Sequence, residues 1–361
     1  MASTEPALTD VNRMHKETLS DAAAYWRGDI RGPRLSVVAE PTYRQLFDHT
    51  RPDLAAVADG AVECIRADLA SGETHVVPTV YADFGTISTA KLYGGTVIPP
   101  HDGGGVHIKP VVRDPGELSA LRACPFEESD FQLAVDLHRM VCERLGSDAV
   151  FLRTPDFQGP MNTLALVMDQ EELMMGMCTQ PDAIHAALDK ITTTLIDYHQ
   201  RLRQTLGGGK VIGNLWPYTI LPEAMGVGIT QDMMPLLSAE FYRDFELPCL
   251  RRIADAFGGV QIHCCGKYAH HLPALRDSGI RILGLEFHDP FTPFADVHSV
   301  FGDDIVYIPY QLAETAEKAN YVAYAEDLLR QGTPETRFWF AHATGSFELD
   351  GLRNCIRRVT S

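Results

Sequence analysis

Residues 260–271 read VQIHCCGKYAHH, which sets His263, Cys264 and Cys265 in a row after a short apolar run and ahead of Gly266. Imidazole nitrogen and thiolate sulfur are borderline-soft donors that suit zinc, at bond lengths of roughly 2.0 to 2.3 Å. If VQIH is a strand, residues two apart share a face. His263 and Cys265 then point the same way, and Cys264 turns toward the packing side. A catalytic zinc takes about three protein ligands and keeps one position for water or substrate, so a third must come from another strand end. The candidates are Glu286 and His288 in LGLEFHDP and His342 in RFWFAHATG, where Phe338, Phe340 and His342 alternate onto one face. Each also has an ordinary reading. Most of the 14 histidines are expected on the surface or hydrogen-bonded in the core, and a carboxylate turned inward needs a partner.

Those residues need elements to carry them. Short apolar segments recur: RLSVVA, HVVPTVYA, DAVFLR, KVIGNLW, GGVQIH, IRILGLEF, DIVYIPY and TRFWFAH. Between most of them lie patterns at helical spacing, such as LAVDLHRMVCERLG and ANYVAYAEDLLRQG. Gly146, Gly207, Gly258 and Gly332 fall just past predicted helix ends, where a left-handed backbone is easiest for glycine. The alternation predicts an α/β fold with about eight strands, a single (β/α)8 TIM barrel, with an open doubly wound sheet as its competitor. In a barrel His263 and Cys265 stand at the carboxyl end of a strand, where active sites are built, with Gly266 letting the chain turn sharply. Residues 1–33 read as an N-terminal extension or helix and 34–361 as the barrel. The stretch from Tyr81 to Glu127, rich in Gly and Pro, reads as an elaborated loop or hairpin over one barrel mouth.

Composition bounds the partners. With 361 residues and 45% hydrophobic content the chain has length for a large core. A formal net charge of -17 and the lack of any Lys or Arg run argue against nucleic acid or an anionic membrane as partner. No basic-then-apolar start and no run of about eighteen apolar residues is present, so a soluble cytoplasmic protein is expected. Cys64, Cys124, Cys142, Cys178, Cys249 and Cys355 are scattered singly and read as small buried hydrophobes. The glycine-rich DGGGVH and LGGGKV lack a nucleotide-loop fingerprint.

The segment GGVQIHCCGKYAHHLPALRDSGIRILGLEF resembles the part of the uroporphyrinogen decarboxylase superfamily that, in its cobalamin-dependent methyltransferase branch, carries an H-x-C metal motif. VYADFGTISTAKLYGG is similar to the segment with the decarboxylases' catalytic aspartate, DFQGPMNTLALVM to their G-x-P-x-T-L segment, and LLSAEFYRDFELPCLRRI to their S-x-E-x-F-x-x-F-x-x-P helix. The matches keep their order from about Arg34 to Arg357. The resemblance implies one (β/α)8 barrel, often paired as a homodimer.

It also divides the functional question. The decarboxylases lack the H-x-C and hold a polycarboxylate with an arginine-bearing N-terminal segment. VVAEPTYRQLF has only Arg44 there and carries Glu40. The methyltransferases hold zinc with His, Cys and a second Cys; the first two map onto His263 and Cys265, and the third position onto His342. The resemblance therefore implies a zinc-dependent methyltransferase working with a corrinoid (cobalamin) on a separate corrinoid protein. A thiol or a methyl ether is its small-molecule substrate. His263, Cys265 and His342 hold the metal, with Glu286 as a further ligand. Asp83 and Glu286 are the catalytic carboxylates, and Gln158 and Asn162 line the pocket. The competing expectations are a metal-independent decarboxylase relying on Asp83, with His342 as an acid, and a non-catalytic corrinoid- or metal-binding barrel.

Overall fold

A computed structural model describes residues 8–38, 41–47, 49–50, 52–70, 77–99, 106–289, 291–309, 321–343 and 349–360. Eight parallel strands are each followed in sequence by a helix: β1 (Arg34–Val38), β2 (Thr79–Tyr81), β3 (Phe151–Arg153), β4 (Val227–Thr230), β5 (Val260–His263), β6 (Ile282–Phe287), β7 (Val306–Pro309) and β8 (Arg337–Ala343). The helices are α1 (Leu54–Ala70), α2 (Asp130–Leu145), α3 (Pro181–Thr205), α4 (Leu247–Phe257), α5 (Leu272–Asp277), α6 (Phe294–Phe301), α7 (Tyr321–Gln331) and α8 (Leu349–Thr360). Six strands form one sheet in the order β1-β8-β7-β6-β5-β4, and β2 pairs with β3. This is a (β/α)8 barrel whose hydrogen-bonded ladder is interrupted twice among the described residues.

Both interruptions are filled by other groups. Beyond β3 the chain meets β4 at Gln158 and Thr230, with Gly159 N donating to Thr230 O at 2.7 Å and Thr230 N to Phe157 O at 2.9 Å. Beside β2, the Tyr81 amide donates to the Tyr43 hydroxyl at 2.8 Å. A buried amide is thus satisfied by a side chain where no strand carbonyl reaches it.

Two departures from the sequence expectation matter. KVIGNLW, expected as a strand, runs beside β3 only over Lys210–Gly213, as a single parallel bridge of Val211 to Leu152 in which Leu152 N donates to Lys210 O (2.9 Å), Ile212 N to Leu152 O (3.1 Å) and Thr154 N to Gly213 O (3.2 Å). The buried Arg153 guanidinium gathers the end of this stretch and the residues after it, donating to the carbonyls of Asn214 (3.2 Å), Pro217 (2.8 Å) and Thr219 (2.5 Å). The strand of that region is instead β4, whose VGIT is short and interrupted by Gly228. A Cβ there would lie 2.9 Å from the Asn214 side chain, so the glycine admits that side chain.

Glycines elsewhere divide in the same manner. Gly146 (φ 62°) and Gly258 (φ 87°) close α2 and α4 in the left-handed region, as expected. Gly332 and Gly266 are not among the positive-φ glycines. Instead a Cβ on Gly332 would meet Phe338 at 2.8 Å, and one on Gly266 would meet Pro235 at 2.3 Å. Close approach of a neighbour, not a sharp turn, requires glycine at these two places.

The amino-terminal end of the barrel is closed by a helix, Leu8–Arg27. Its Trp26 stacks on Trp339 of β8 (5.4 Å between ring centres), and Tyr25 meets the same ring edge-on. Arg337 Nη1 donates to the Tyr25 carbonyl at 2.9 Å. In the 81–127 region an antiparallel hairpin, Thr96–Ile98 with His107–Lys109, leads to the helix Pro160–Val167, where Val111 N donates to Val167 O at 2.8 Å. The DGGG of that hairpin, with His101, lies outside the described residues, as does Glu40. No helix among the described residues is long and apolar enough to cross a membrane.

Candidate metal centre

β5 ends at His263, whose side chain is 9% exposed, and the chain then alternates as a strand would. Cys264 is buried and Cys265 exposed. Burial pushes the Cys264 thiol up to about 12, so this cysteine is a packing residue held as a neutral thiol. His263 and Cys265 meet a third group from the neighbouring strand. Asp232 stands two residues beyond β4, its Oδ1 3.8 Å from His263 Nε2 and 3.5 Å from Cys265 Sγ. The Cys265 amide also reaches that oxygen, at 3.4 Å.

One donor atom from each of Asp232, His263 and Cys265 lies within 4.8 Å of the others. A tetrahedral zinc with bonds of roughly 2.0 to 2.3 Å separates its ligands by about 3.3 to 3.8 Å. The two separations given above fall there, and nitrogen, sulfur and oxygen are all donors that zinc accepts. The residues present therefore fit the metal.

Glu286, on β6, approaches from behind. Its Oε2 is 2.6 Å from His263 Nδ1, which leaves Nε2 to face Asp232 and Cys265. A carboxylate on the far nitrogen of a ligating histidine fixes ring orientation and tautomer and raises ligand basicity. Burial alone would pull the His263 pKa down. The Glu286 charge, the hydrogen bonds to Cys265 and Glu286, and Asp232 outweigh it and hold the ring protonated well above its usual range. That proton balances the carboxylates in the position a cation would take. His288 uses Nδ1 to hold the Cys265 carbonyl at 3.0 Å, fixing backbone at the thiol.

Gln158 and Asn162 are buried below this group and spend their amides on protein. Gln158 Nε2 donates to Asp156 (2.5 Å) and its Oε1 accepts from Asn162 (2.6 Å). Asn162 also donates to Thr230 O at 3.1 Å, and its Oδ1 accepts the Met233 amide at 2.9 Å, directly after Asp232. Asp156 also receives the Thr230 hydroxyl (2.8 Å) and the Asn214 amide (3.0 Å); burial raises its pKa and these donors with Gln158 counter it.

His270 and His271 hold the same loop from the other side. Their Nε2 atoms donate to Leu237 O at 3.0 Å and Met234 O at 2.8 Å.

Asp83, two residues beyond β2, sits elsewhere on the wall. Its Oδ2 takes both Nε and Nη2 of Arg44 at 2.6 Å, and Oδ1 accepts the Gly85 amide at 3.2 Å. Arg44 further donates to the Tyr218 hydroxyl at 3.0 Å and lies over the Trp216 ring at 4.3 Å. The lone arginine of VVAEPTYRQLF is thus committed to a carboxylate.

The His342 backbone pairs with Val37 in the β8–β1 ladder, and its side chain lies outside the described residues. Asp232 was not singled out from sequence. Its signal was the dipeptide Gln231–Asp232 after the apolar VGIT, legible only once that stretch is taken as a strand.

Comparison with known proteins agrees with this architecture. The family model described as "Uroporphyrinogen decarboxylase (URO-D)" matches residues 80–306. A methylated-thiol--coenzyme M methyltransferase of Methanosarcina mazei is 28% identical over 127 residues, which span 35% of this chain and 30% of that relative. A solved structure, a methyltransferase from Methanosarcina mazei, superposes with a TM-score of 0.68 at 13% identity, covering 95% of this chain and 99% of that one. That likeness speaks to the fold. The family match, running from within β2 to the first residue of β7, makes this chain a member of the uroporphyrinogen decarboxylase family.

Proposed function

We propose that this chain is a zinc-dependent methyltransferase that moves a methyl group between a corrinoid, presented by a partner corrinoid protein, and a thiol or methyl-ether substrate. The observation that carries the reading is the convergence of Asp232, His263 and Cys265 at adjacent strand ends with Glu286 behind the imidazole. The partly matched methyltransferase relative supports the reaction class.

His263 Nε2, Cys265 Sγ and an Asp232 oxygen would hold the metal, leaving its fourth position for substrate. The ion would supply Lewis acidity, lowering the pKa of a bound thiol or polarising an ether oxygen. On metal binding the ring would give up its Nε2 proton, and Glu286 would keep the remaining one on Nδ1, so the nitrogen that faces the site would offer its lone pair. Asp232 and the Cys265 thiolate bring negative charge that offsets a dication in a half-buried setting. Exposure of Cys265 at the strand ends gives an incoming substrate access.

The decarboxylase reading needs an Asp83 carboxylate available to a developing cation, and the Arg44 fork already occupies it. Metal analysis of protein purified without chelators tests the proposal. About one zinc per chain is expected, lost with activity in Cys265→Ala; no metal in the parent protein overturns it. Incubation with methylcobalamin and thiols, or with reduced cobalamin and methyl ethers, should change cobalamin absorbance at catalytic rates. Binding without that change identifies a non-catalytic barrel.

A further inference from the structure

Asp232 sits on a loop, and a ligand on a loop binds well only if the loop is held in place. Its neighbour Gln231 has its backbone amide on the His263 carbonyl at 2.8 Å, extending the β4–β5 ladder to the edge of the site. The Gln231 side chain turns the opposite way and is buried. There its Oε1 accepts the Tyr242 hydroxyl at 2.8 Å and its Nε2 donates to Glu246 Oε1 at 2.7 Å.

Glu246 is 2% exposed and accepts a second bond through its other oxygen, from the Met161 amide at 3.1 Å. It thereby joins the first turn of the helix Pro160–Val167, which carries Asn162, to the loop that carries Asp232. Gly159 makes room, since a Cβ there would lie 3.1 Å from Glu246 Oε1. Tyr242 and Glu246 bound a π-turn, Tyr242–Glu246, at the start of α4. Such turns inside helices are rare and frequent at functional sites; here Tyr242 and Glu246, four residues apart, grip one amide. A carboxylate among apolar side chains is costly unless its hydrogen bonds are made, and an apolar residue would fill the space without that cost.

We infer that Glu246 is a positioning residue for the metal centre, acting through Gln231 to set the place of Asp232. The inference rests on the metal reading above. In the test, the full chain is stripped of metal and titrated with Co2+, whose visible bands report ligand number and whose near-ultraviolet band reports thiolate ligation. The parent, Asp232→Ala, Glu246→Gln and Tyr242→Phe are compared. Glu246→Gln keeps the volume but sets an NH2 group against either the Met161 amide or the Gln231 amide.

The expected result is cobalt bands in Glu246→Gln shifted toward those of Asp232→Ala, with affinity weakened about ten- to a hundredfold. Tyr242→Phe, which leaves the carboxylate and removes only the hydroxyl fixing Gln231, should shift the same way by less. It carries the test if Glu246→Gln does not fold. A purely structural role would lower the melting temperature and leave the bands and affinity of the folded variants at parent values; that outcome overturns the inference alone. A parent chain that takes up no cobalt with a Cys265-dependent near-ultraviolet band overturns the metal reading, and this inference with it.

Discussion

Glu286 Oε2 lies 2.6 Å from His263 Nδ1, and this contact decides which face of the imidazole is available to Asp232 and Cys265. Replacing Glu286 with Gln keeps an acceptor on Nδ1 and removes its charge. Zinc affinity, measured by competition with a chromophoric chelator, should fall about tenfold in Glu286→Gln and toward a hundredfold in Glu286→Ala.

The third ligand is open to a direct contest. Asp232→Ala should weaken zinc binding more than about a hundredfold, because the remaining pair is an incomplete catalytic set. With Asp232 as third ligand, His342→Ala should retain zinc within about threefold of the parent. The reverse ranking would place the third ligand on β8.

His271 gives a pH dependence whose sign can be worked out. Burial pulls its pKa down to about 4, against the Met234 carbonyl, which favours the charged ring. In an unfolded chain the ring titrates near 6.5. The folded state therefore binds the proton more weakly than the unfolded one. Stability from the neutral ring is full above pH ~6.5 and is lost as the pH falls from there through about 4. His271→Gln, which retains a donor for Met234 O, should flatten this slope; urea midpoints at pH 7.5 and 5 for both proteins measure it.

Gly266→Ala tests the packing between the loops that carry Asp232 and Cys265. The added Cβ meets Pro235 at 2.3 Å, between backbone and a rigid ring. A loss of about 1 to 3 kcal/mol in unfolding free energy is expected. The β4 loop should also move, read as weaker zinc binding; unchanged stability would show that the loops are free to separate.

Cysteine accessibility offers a chemical check. Cys265 is exposed while Cys264 is buried with its thiol raised to about 12. Iodoacetamide at neutral pH, followed by peptide mass analysis, should label Cys265 and spare Cys264, and zinc should slow the labelling.

Much of the barrel was legible because ILGLEF, VYIP and RFWF are continuous apolar runs, as strands buried on both faces must be. VGIT was not, since Gly228 breaks its pattern for the sake of Asn214. KVIGNLW has the stronger apolar signal, but Arg153 draws the chain after it out of the ladder. Missing β4 hid Asp232, because a carboxylate gains meaning only from the strand end that presents it. Alternation on β5 separated Cys264 from Cys265 correctly. Glu286 was visible as an inward carboxylate needing a partner, but only the register of β5 and β6 supplies His263. The amides of Gln158 and Asn162 carry no sequence sign of whether they meet a substrate or a backbone loop.

The donor group is supplied by three consecutive strands, β4, β5 and β6, while Arg44 and Asp83 meet on the wall formed by β1 and β2. The candidate metal centre and the opposite wall are thus built from separate stretches of chain. Exchanging the loops after β1 and β2 would redraw that wall without touching one atom of the donor set, so this barrel is built in a way that lets one side vary while the other is kept.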